Sequence, residues 1–178
     1  KDNGYNEYNY LCATALSYFF LDLLIKKIKS KIEISKYLIY VLLATVCDVM
    51  PLRKLNRLIA QNTLKNFDIK KNLPINTLFE LNEKKNKINI NDLGYLIGPI
   101  LNAGGRLGKS NYATELLSSS DDGFIMIKSK DLIKLNNKRK LIETLTLNEI
   151  NFKKIENKNN GVIVYYNPNI NEGLIGII

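Results

Sequence analysis

The stretch GPILNAGGRLGKS, residues 98–110, follows an apolar helical pattern and concentrates four glycines around Arg106. Successive glycines let backbone N–H groups turn toward an anion, because no β-carbon blocks its approach. The guanidinium of Arg106 adds a planar fork that matches phosphate oxygens. The alternative is a helix that stops at Gly104 and Gly105 and leaves the arginine in solvent. The spacing alone leaves both interpretations open.

On both sides of this stretch, apolar residues recur at helical spacing, and the chain as a whole is predicted to be mostly α-helical. The predicted helices cover residues 11–29, 36–49, 54–67, 74–81, 93–101, 112–119 and 121–157. Polar residues that can cap these helices are expected at their starts: Ser35 for the second, Asn91 or Asp92 for the fifth, and Ser110 or Asn111 for the sixth.

The last predicted helix, 121–157, is long and charged, and it is interpreted as a connector between two domains. Its apolar residues Leu141, Leu145, Phe152 and Ile155 fall close to one face. The sequence GVIVYY after it, 161–166, is the one predicted strand. A second domain is therefore expected to begin near residue 160.

Composition sets broad limits on the class of protein. The hydrophobic content of 46% suffices for a core, and the net charge of +9 favours an anionic partner. No run reaches the roughly 18 apolar residues of a membrane span, and no signal peptide is present, so a cytoplasmic protein without a membrane partner is expected. The chain contains no histidine, which argues against a zinc site of the usual kind. It begins at Lys1 and ends in an apolar run, so it is expected to be a piece of a longer protein.

Asp48, in TVCDVMPL, is a candidate for metal binding because an acid at the end of an apolar helix needs a partner. A carboxylate is a hard oxygen ligand that suits Mg²⁺ or Mn²⁺. The alternative is that Asp48 faces solvent or pairs with Arg53 or Arg57.

A weaker signal is NINEGLIGI, 169–177, in which Gly173 and Gly176 flank a short apolar step. A glycine-tipped helix start can bind an anion. A plain strand–turn–helix explains the same residues.

The ordered series ATVCDVMPL, NRLIAQNTL, LGYLIGPILNAGGRLG, ELLSSSD, LNNKRKLIE and GLIGI resembles the RecJ-type single-strand-specific 5′→3′ exonucleases of the DHH phosphoesterase family. The resemblance covers nearly the whole chain. It implies an α/β fold for the intact protein, with 1–120 as the C-terminal part of the catalytic DHH domain, 121–157 as the connecting helix and 158–178 as the start of the DHH-associated domain.

The resemblance also implies roles for single residues. Asp48 would be a catalytic residue and a ligand of Mn²⁺ or Mg²⁺, with two ions in the intact protein. Arg106 would hold the 5′ phosphate of single-stranded DNA, with Asn102, Gly104 and Gly105 shaping the turn around it. Asn171, Gly173 and Gly176 would form a substrate-side turn of the second domain. Other DNA-repair proteins would be further partners.

Two departures from the family pattern limit what can be carried over. Ile170 and Asn171 stand where the family has tryptophan and histidine. The aspartate-rich and Asp-His-His motifs would lie upstream of Lys1, and one carboxylate cannot hold two metal ions, so the 178-residue chain alone is expected to be inactive. The alternatives are another DHH phosphoesterase acting on short oligonucleotides or small phosphate esters, a non-catalytic relative that binds single-stranded DNA, and a reading frame without a stable product.

Overall fold

The structure is a computed structural model of the chain, and it describes residues 8–149, 166, 168, 170 and 172–177. Most of these residues are helical, and none of them forms a strand. The expectation of a mostly helical segment is therefore confirmed. The strand predicted over 161–166 lies outside the described residues, apart from Tyr166. Within the described part of the chain, no helix is long and apolar enough to cross a membrane.

Eight α-helical segments occur in the described residues, together with shorter helical turns. The α-helices are α1 (Ala13–Lys27), α2 (Leu38–Cys47), α3 (Lys54–Asn66), α4 (Leu73–Leu81), α5 (Ile90–Asp92), α6 (Gly98–Arg106), α7 (Tyr112–Ser118) and α8 (Asp122–Glu149). The 3₁₀ turns are Ile34–Tyr37, Ile69–Lys71 and Glu172–Ile177, and Leu93–Ile97 forms a π-helical turn between α5 and α6.

The first compact unit comprises Lys1–Asn72 and Lys84–Gly98. Its centre is α2, which packs against α1, α3 and the π-helical turn. The side chains of Ile39, Val41 and Leu42 are almost completely buried. Burial of such side chains contributes about 1.5–3 kcal/mol each, so α2 is fixed firmly in the unit.

Two glycines explain how closely α2 meets the π-helical turn. A β-carbon on Gly94 would lie 3.1 Å from Val46 Cγ1, and one on Gly98 would overlap Cys47 Sγ. The absence of side chains at both positions therefore lets the end of α2 pack directly against the π-helical turn and the residue after it.

Two of the predicted helix caps are wrong. Ser35 does not cap α2, because its hydroxyl donates to Glu33 Oε1 at 2.9 Å and the 3₁₀ turn Ile34–Tyr37 precedes the helix. The helix before the glycine stretch begins earlier than Asn91 or Asp92, because Asn89 caps it. Asn89 Oδ1 accepts from the Asp92 N–H at 3.1 Å, and Asp92 Oδ2 accepts from the Asn89 N–H at 3.1 Å.

The second compact unit comprises Leu73–Glu83 and Pro99–Ile178. Helix α8 packs against α4, α7 and the segment Glu172–Ile177. The fully buried side chains of this unit include Ile75, Leu78, Leu116, Ile125, Leu132 and Leu174.

The long helix predicted over 121–157 occurs as α8, Asp122–Glu149, within the described residues. Leu141 and Leu145 are more than half exposed, while Ile125, Ser129, Leu132 and Asn136 are buried at helical spacing. The contacts with α4 and α7 determine which side of α8 is buried, so the apolar residues near the C-terminal end of α8 do not mark its buried side. Residues 150–157, including Phe152 and Ile155, lie outside the described residues. The domain boundaries at 120 and 157 stay a prediction.

Candidate functional site

Asp48 is the residue at the C-terminal cap of α2, and its side chain is exposed. Its carboxylate makes no hydrogen bond or ion pair with any residue in the described part of the chain. Pairing with Arg53 is not observed, since that guanidinium lies over the Tyr10 ring at 5.5 Å from its centroid. A carboxylate at the negative end of a helix dipole is electrostatically unfavourable without a cation. The site is therefore suited to receive a positive charge.

The turn that holds Asp48 has a fixed hydrogen-bond pattern. The Val49 N–H donates to the Val46 carbonyl at 3.1 Å, and the Met50 N–H donates to the Thr45 carbonyl at 3.0 Å. This pair of bonds is the Schellman motif, in which the residue after the cap adopts a left-handed conformation. Val49 does so with φ = 54° although it is β-branched and not glycine. The backbone on both sides of Asp48 is therefore tightly defined.

Cys47, the neighbour of Asp48, is a partly buried free thiol. Burial raises the pKa of the Cys47 thiol, and the negative charge of Asp48 raises that pKa further. The thiol is thus held in its protonated form, in which it packs as a small, weakly polar group beside Gly98.

Asp48 fits a metal ion as one oxygen donor among several. Among the residues that the structure describes, no group of three or more cysteine, aspartate or glutamate side chains could hold an ion. The remaining ligands of such an ion would have to come from outside this set of residues.

Arg106 is the last residue of α6, and its side chain is partly buried. Its Nη1 donates to the Gly173 carbonyl at 2.9 Å, across a sequence separation of 67 residues. A β-carbon on Gly173 would overlap the Arg106 carbonyl oxygen and lie 2.9 Å from its Cα. The structure therefore brings together two residues that the sequence nominated in separate motifs.

The other residues nominated around Arg106 lie in the helix and not in a turn. Asn102, Gly104 and Gly105 all belong to α6, so the predicted glycine turn at Gly104 and Gly105 is wrong. The helix ends at Arg106, and the turn that follows it contains Gly108, whose φ is 78°. In this turn the Lys109 N–H donates to the Gly104 carbonyl at 2.7 Å.

The helical geometry sorts these residues by face. Asn102, four residues before Arg106, and Gly105, one residue before it, are exposed. Gly104 is buried against Leu132 and the Lys109 carbonyl. Because this is the C-terminal end of a helix, its backbone presents carbonyl groups and not N–H groups. Attraction of an anion here must therefore come from the Arg106 guanidinium.

The third nominated motif is only partly described. Gly173 and Gly176 lie in the 3₁₀ segment Glu172–Ile177, and Asn171 lies outside the described residues. A β-carbon on Gly176 would meet no atom within 4 Å. Of the two glycines, Gly173 is the one that close packing requires.

Sequence reasoning missed the role of Gly94 and Gly98 beneath the Asp48 turn. The signal was present, since two glycines four residues apart lie on one side of a helix and allow another element to approach closely.

Comparison with known proteins identifies relatives that cover most of this chain. No family model matches it. It is 33% identical over 157 residues to the single-stranded-DNA-specific exonuclease RecJ of Escherichia coli, which covers 82% of this chain and 26% of that protein. The RecJ of Haemophilus influenzae is 33% identical over 145 residues, covering 78% of this chain and 25% of that protein. The chain is RecJ-related. It spans about a quarter of the length of these curated relatives.

Solved structures show that the RecJ-related chain also shares the fold. The crystal structure of Thermus thermophilus RecJ in complex with Mn²⁺ matches with a TM-score of 0.76 at 22% identity, covering 92% of this chain and 24% of that one. A crystal structure of exonuclease RecJ bound to manganese matches with a TM-score of 0.78 at 22% identity, covering 92% and 41%. The resemblance read from the motifs is confirmed.

Proposed function

We propose that the RecJ-related chain is part of a metal-dependent, single-strand-specific 5′→3′ exonuclease that acts in DNA repair and recombination. The named function of the relatives, single-stranded-DNA-specific exonuclease, supports the reaction. The structural neighbours were crystallised with Mg²⁺ or Mn²⁺, which supports a divalent ion. The net charge of +9 suits a polyanionic substrate, whose binding would weaken as salt rises. The intact protein would work in the cytoplasm.

The observation that carries the proposal is the unpaired carboxylate of Asp48 at the C-terminus of α2. Asp48 would hold Mn²⁺ or Mg²⁺ together with ligands from outside the described residues. A divalent ion in such a site activates water and offsets the charge that develops on the phosphate. The contribution of the chain is positional, because the hydrogen bonds of the Val49 and Met50 N–H groups fix the backbone that carries the ligand.

Arg106 would bind the 5′ phosphate of the strand. Its guanidinium has five N–H donors, and the hydrogen bond to Gly173 uses one of them. The Nε and Nη2 groups present two parallel N–H bonds, the geometry that suits two phosphate oxygens. Asn102 lies one helical turn before Arg106 and is exposed, and Gly105 is the exposed residue next to Arg106, so both would border the bound phosphate.

The test is Mn²⁺-dependent release of nucleotides from a 5′-phosphorylated single strand by the intact protein and its Asp48→Asn variant. Loss of a metal ligand is expected to lower the rate at least about a hundredfold. Direct titration with Mn²⁺ should show weaker binding in the same variant. Asp68→Asn is the control for the same chemical change, because Asp68 is an exposed carboxylate of the same unit that lies at the start of a helical turn and not at a helix C-terminus.

Each other outcome has a definite meaning. Unchanged Mn²⁺ binding by Asp48→Asn would reject the ligand role. Binding of single strands without any nucleotide release by the wild-type protein would replace the exonuclease with a non-catalytic binding protein. Faster hydrolysis of short oligonucleotides or small phosphate esters than of long strands would indicate another type of DHH phosphoesterase.

A further inference from the structure

Gly173 is separated from Arg106 by 67 residues, yet the two residues share both a hydrogen bond and a backbone contact. The hydrogen bond runs from Arg106 Nη1 to the Gly173 carbonyl at 2.9 Å. The backbone contact is so close that any side chain at position 173 would collide with the Cα and carbonyl group of Arg106. Gly173 therefore contacts Arg106 in two ways, by accepting a hydrogen bond and by close backbone packing.

The segment that carries Gly173 is anchored in the second unit. Leu174, the next residue, is completely buried, and the segment Glu172–Ile177 packs against α8. The buried side chain of Leu174 thus anchors the segment, while the Gly173 carbonyl accepts the hydrogen bond from the Arg106 guanidinium. An arginine side chain has many rotamers, and fixing it before a ligand arrives reduces the entropy lost on binding.

We propose that Gly173 is a positioning residue for Arg106. Its carbonyl holds one N–H of Nη1, and its missing side chain lets the segment approach, so the Nε and Nη2 donors keep one orientation toward a terminal phosphate. This inference rests on the proposed function, since it assumes that Arg106 binds phosphate. It adds that recognition of the 5′ end depends on the segment Glu172–Ile177.

The experiment compares binding of 5′-phosphorylated and 5′-hydroxyl single strands by the intact protein. The ratio of the two dissociation constants is the phosphate preference. Arg106→Ala should lower this preference about tenfold or more, the usual effect of losing hydrogen bonds to a charged group. Gly173→Ala should lower it in the same direction, with binding of the 5′-hydroxyl strand changed less than about twofold, because only the orientation of the arginine is disturbed.

Two control variants separate positioning from general damage. Gly123→Ala makes the same chemical change in the same unit, where the new β-carbon meets only Asp121 Oδ1 at an ordinary 3.5 Å. Ile175→Ala alters an exposed side chain of the same short segment. Both should keep the wild-type phosphate preference.

A double variant decides whether Gly173 acts through Arg106. In the Arg106→Ala background, Gly173→Ala should cause no further loss of preference, since the residue it positions is gone. Additive losses, or equal weakening for both strands, would overturn the proposal and make Gly173 a packing residue only. A wild-type preference in Gly173→Ala would overturn it as well.

The same measurements distinguish an error in the phosphate role of Arg106 from an error in the positioning role of Gly173. If Arg106→Ala itself keeps the phosphate preference, the phosphate role of Arg106 is wrong, and the positioning role falls with it. If Arg106→Ala loses the preference and Gly173→Ala matches Gly123→Ala, only the positioning role is wrong.

Discussion

Val49 combines a β-branched side chain with a left-handed backbone directly after Asp48. Such a conformation costs about 1–3 kcal/mol for a residue other than glycine. Lys29 occupies the equivalent place after α1, with φ = 54° and the same pair of hydrogen bonds from the Lys29 and Ser30 N–H groups. The two turns differ in the branching of the side chain, so they form a matched pair.

We expect Val49→Gly to raise the free energy of unfolding by about 1 kcal/mol, after the greater flexibility of unfolded glycine is subtracted. Lys29→Gly should have a smaller effect, because an unbranched side chain is less strained there. Urea titration of the intact protein measures both. A Val49→Gly variant no more stable than wild type would show that the turn carries no strain.

For single residues, the sequence predicted that Asp48 lies near the end of a helix, but it did not predict the backbone conformation after Asp48. The proline at 51 indicated that the helix ends near Val49, and α2 ends at Cys47. A left-handed valine could not be predicted, because sequence rules assign that conformation to glycine or asparagine. The hydrogen bond from Arg106 to Gly173 was equally invisible, since no local pattern links the two positions.

Helix α6 contains adjacent glycines in different surroundings. A β-carbon on Gly104 would lie 2.7 Å from the Lys109 carbonyl oxygen, and one on Gly105 would meet nothing within 4 Å. Gly104→Ala should lower the free energy of unfolding by about 1–3 kcal/mol, because backbone must move to make room. Gly105→Ala should raise it by about 0.5–1 kcal/mol, because alanine favours a helix interior.

Thermal and urea unfolding of the two variants check this pair. Shifts of the same sign would contradict the helical packing of α6. A Gly105→Ala variant that is more stable yet binds 5′-phosphorylated strands more weakly would show that glycine is kept at this position for the ligand and not for the fold.

Helices were predictable as elements, and their ends and faces were less so. The helices expected at 11–29 and 54–67 occur as Ala13–Lys27 and Lys54–Asn66, because apolar spacing identifies helices reliably. The predicted cap at Ser35 is wrong because the Ser35 hydroxyl donates to Glu33 instead of capping α2. The apolar residues of α8 did not indicate its buried side, because contacts with α4 and α7 determine which side is covered.

The chain as a whole exposes much apolar surface on α1. Phe20, Leu23 and Ile28 are 64%, 67% and 63% exposed. A helix that is apolar on nearly all sides is normally a buried one. The 178-residue chain on its own is therefore expected to self-associate and to bind a hydrophobic dye. It is also expected not to release nucleotides from DNA, because one carboxylate cannot hold two metal ions.

Replacing Phe20 and Leu23 by lysine should reduce both dye binding and self-association of the isolated chain, because the apolar patch is broken. Gel filtration with light scattering and dye fluorescence measure the two effects. The control is Gln61→Lys with Asn62→Lys, which adds the same charge on exposed positions of α3. Equal improvement by the control would mean that net charge, and not the α1 surface, governs solubility.

At the scale of the whole molecule, the ordered motifs identified the relatives, and similarity in sequence and fold confirmed them. Local pattern could not predict how the chain divides into packed units. The reason is that Leu73–Glu83 packs with residues after Pro99, whereas Lys84–Gly98 packs with the residues before Leu73.

The hydrogen bond across 67 residues has a consequence for how the protein is made. Ribosomes add about 5–20 residues per second, so Arg106 exists for several seconds before Gly173 is synthesised. During that interval α6 can form from local contacts, while its terminal guanidinium has no carbonyl to hold it. The order of synthesis thus leaves the Arg106 side chain without this hydrogen bond until the segment Glu172–Ile177 has been made.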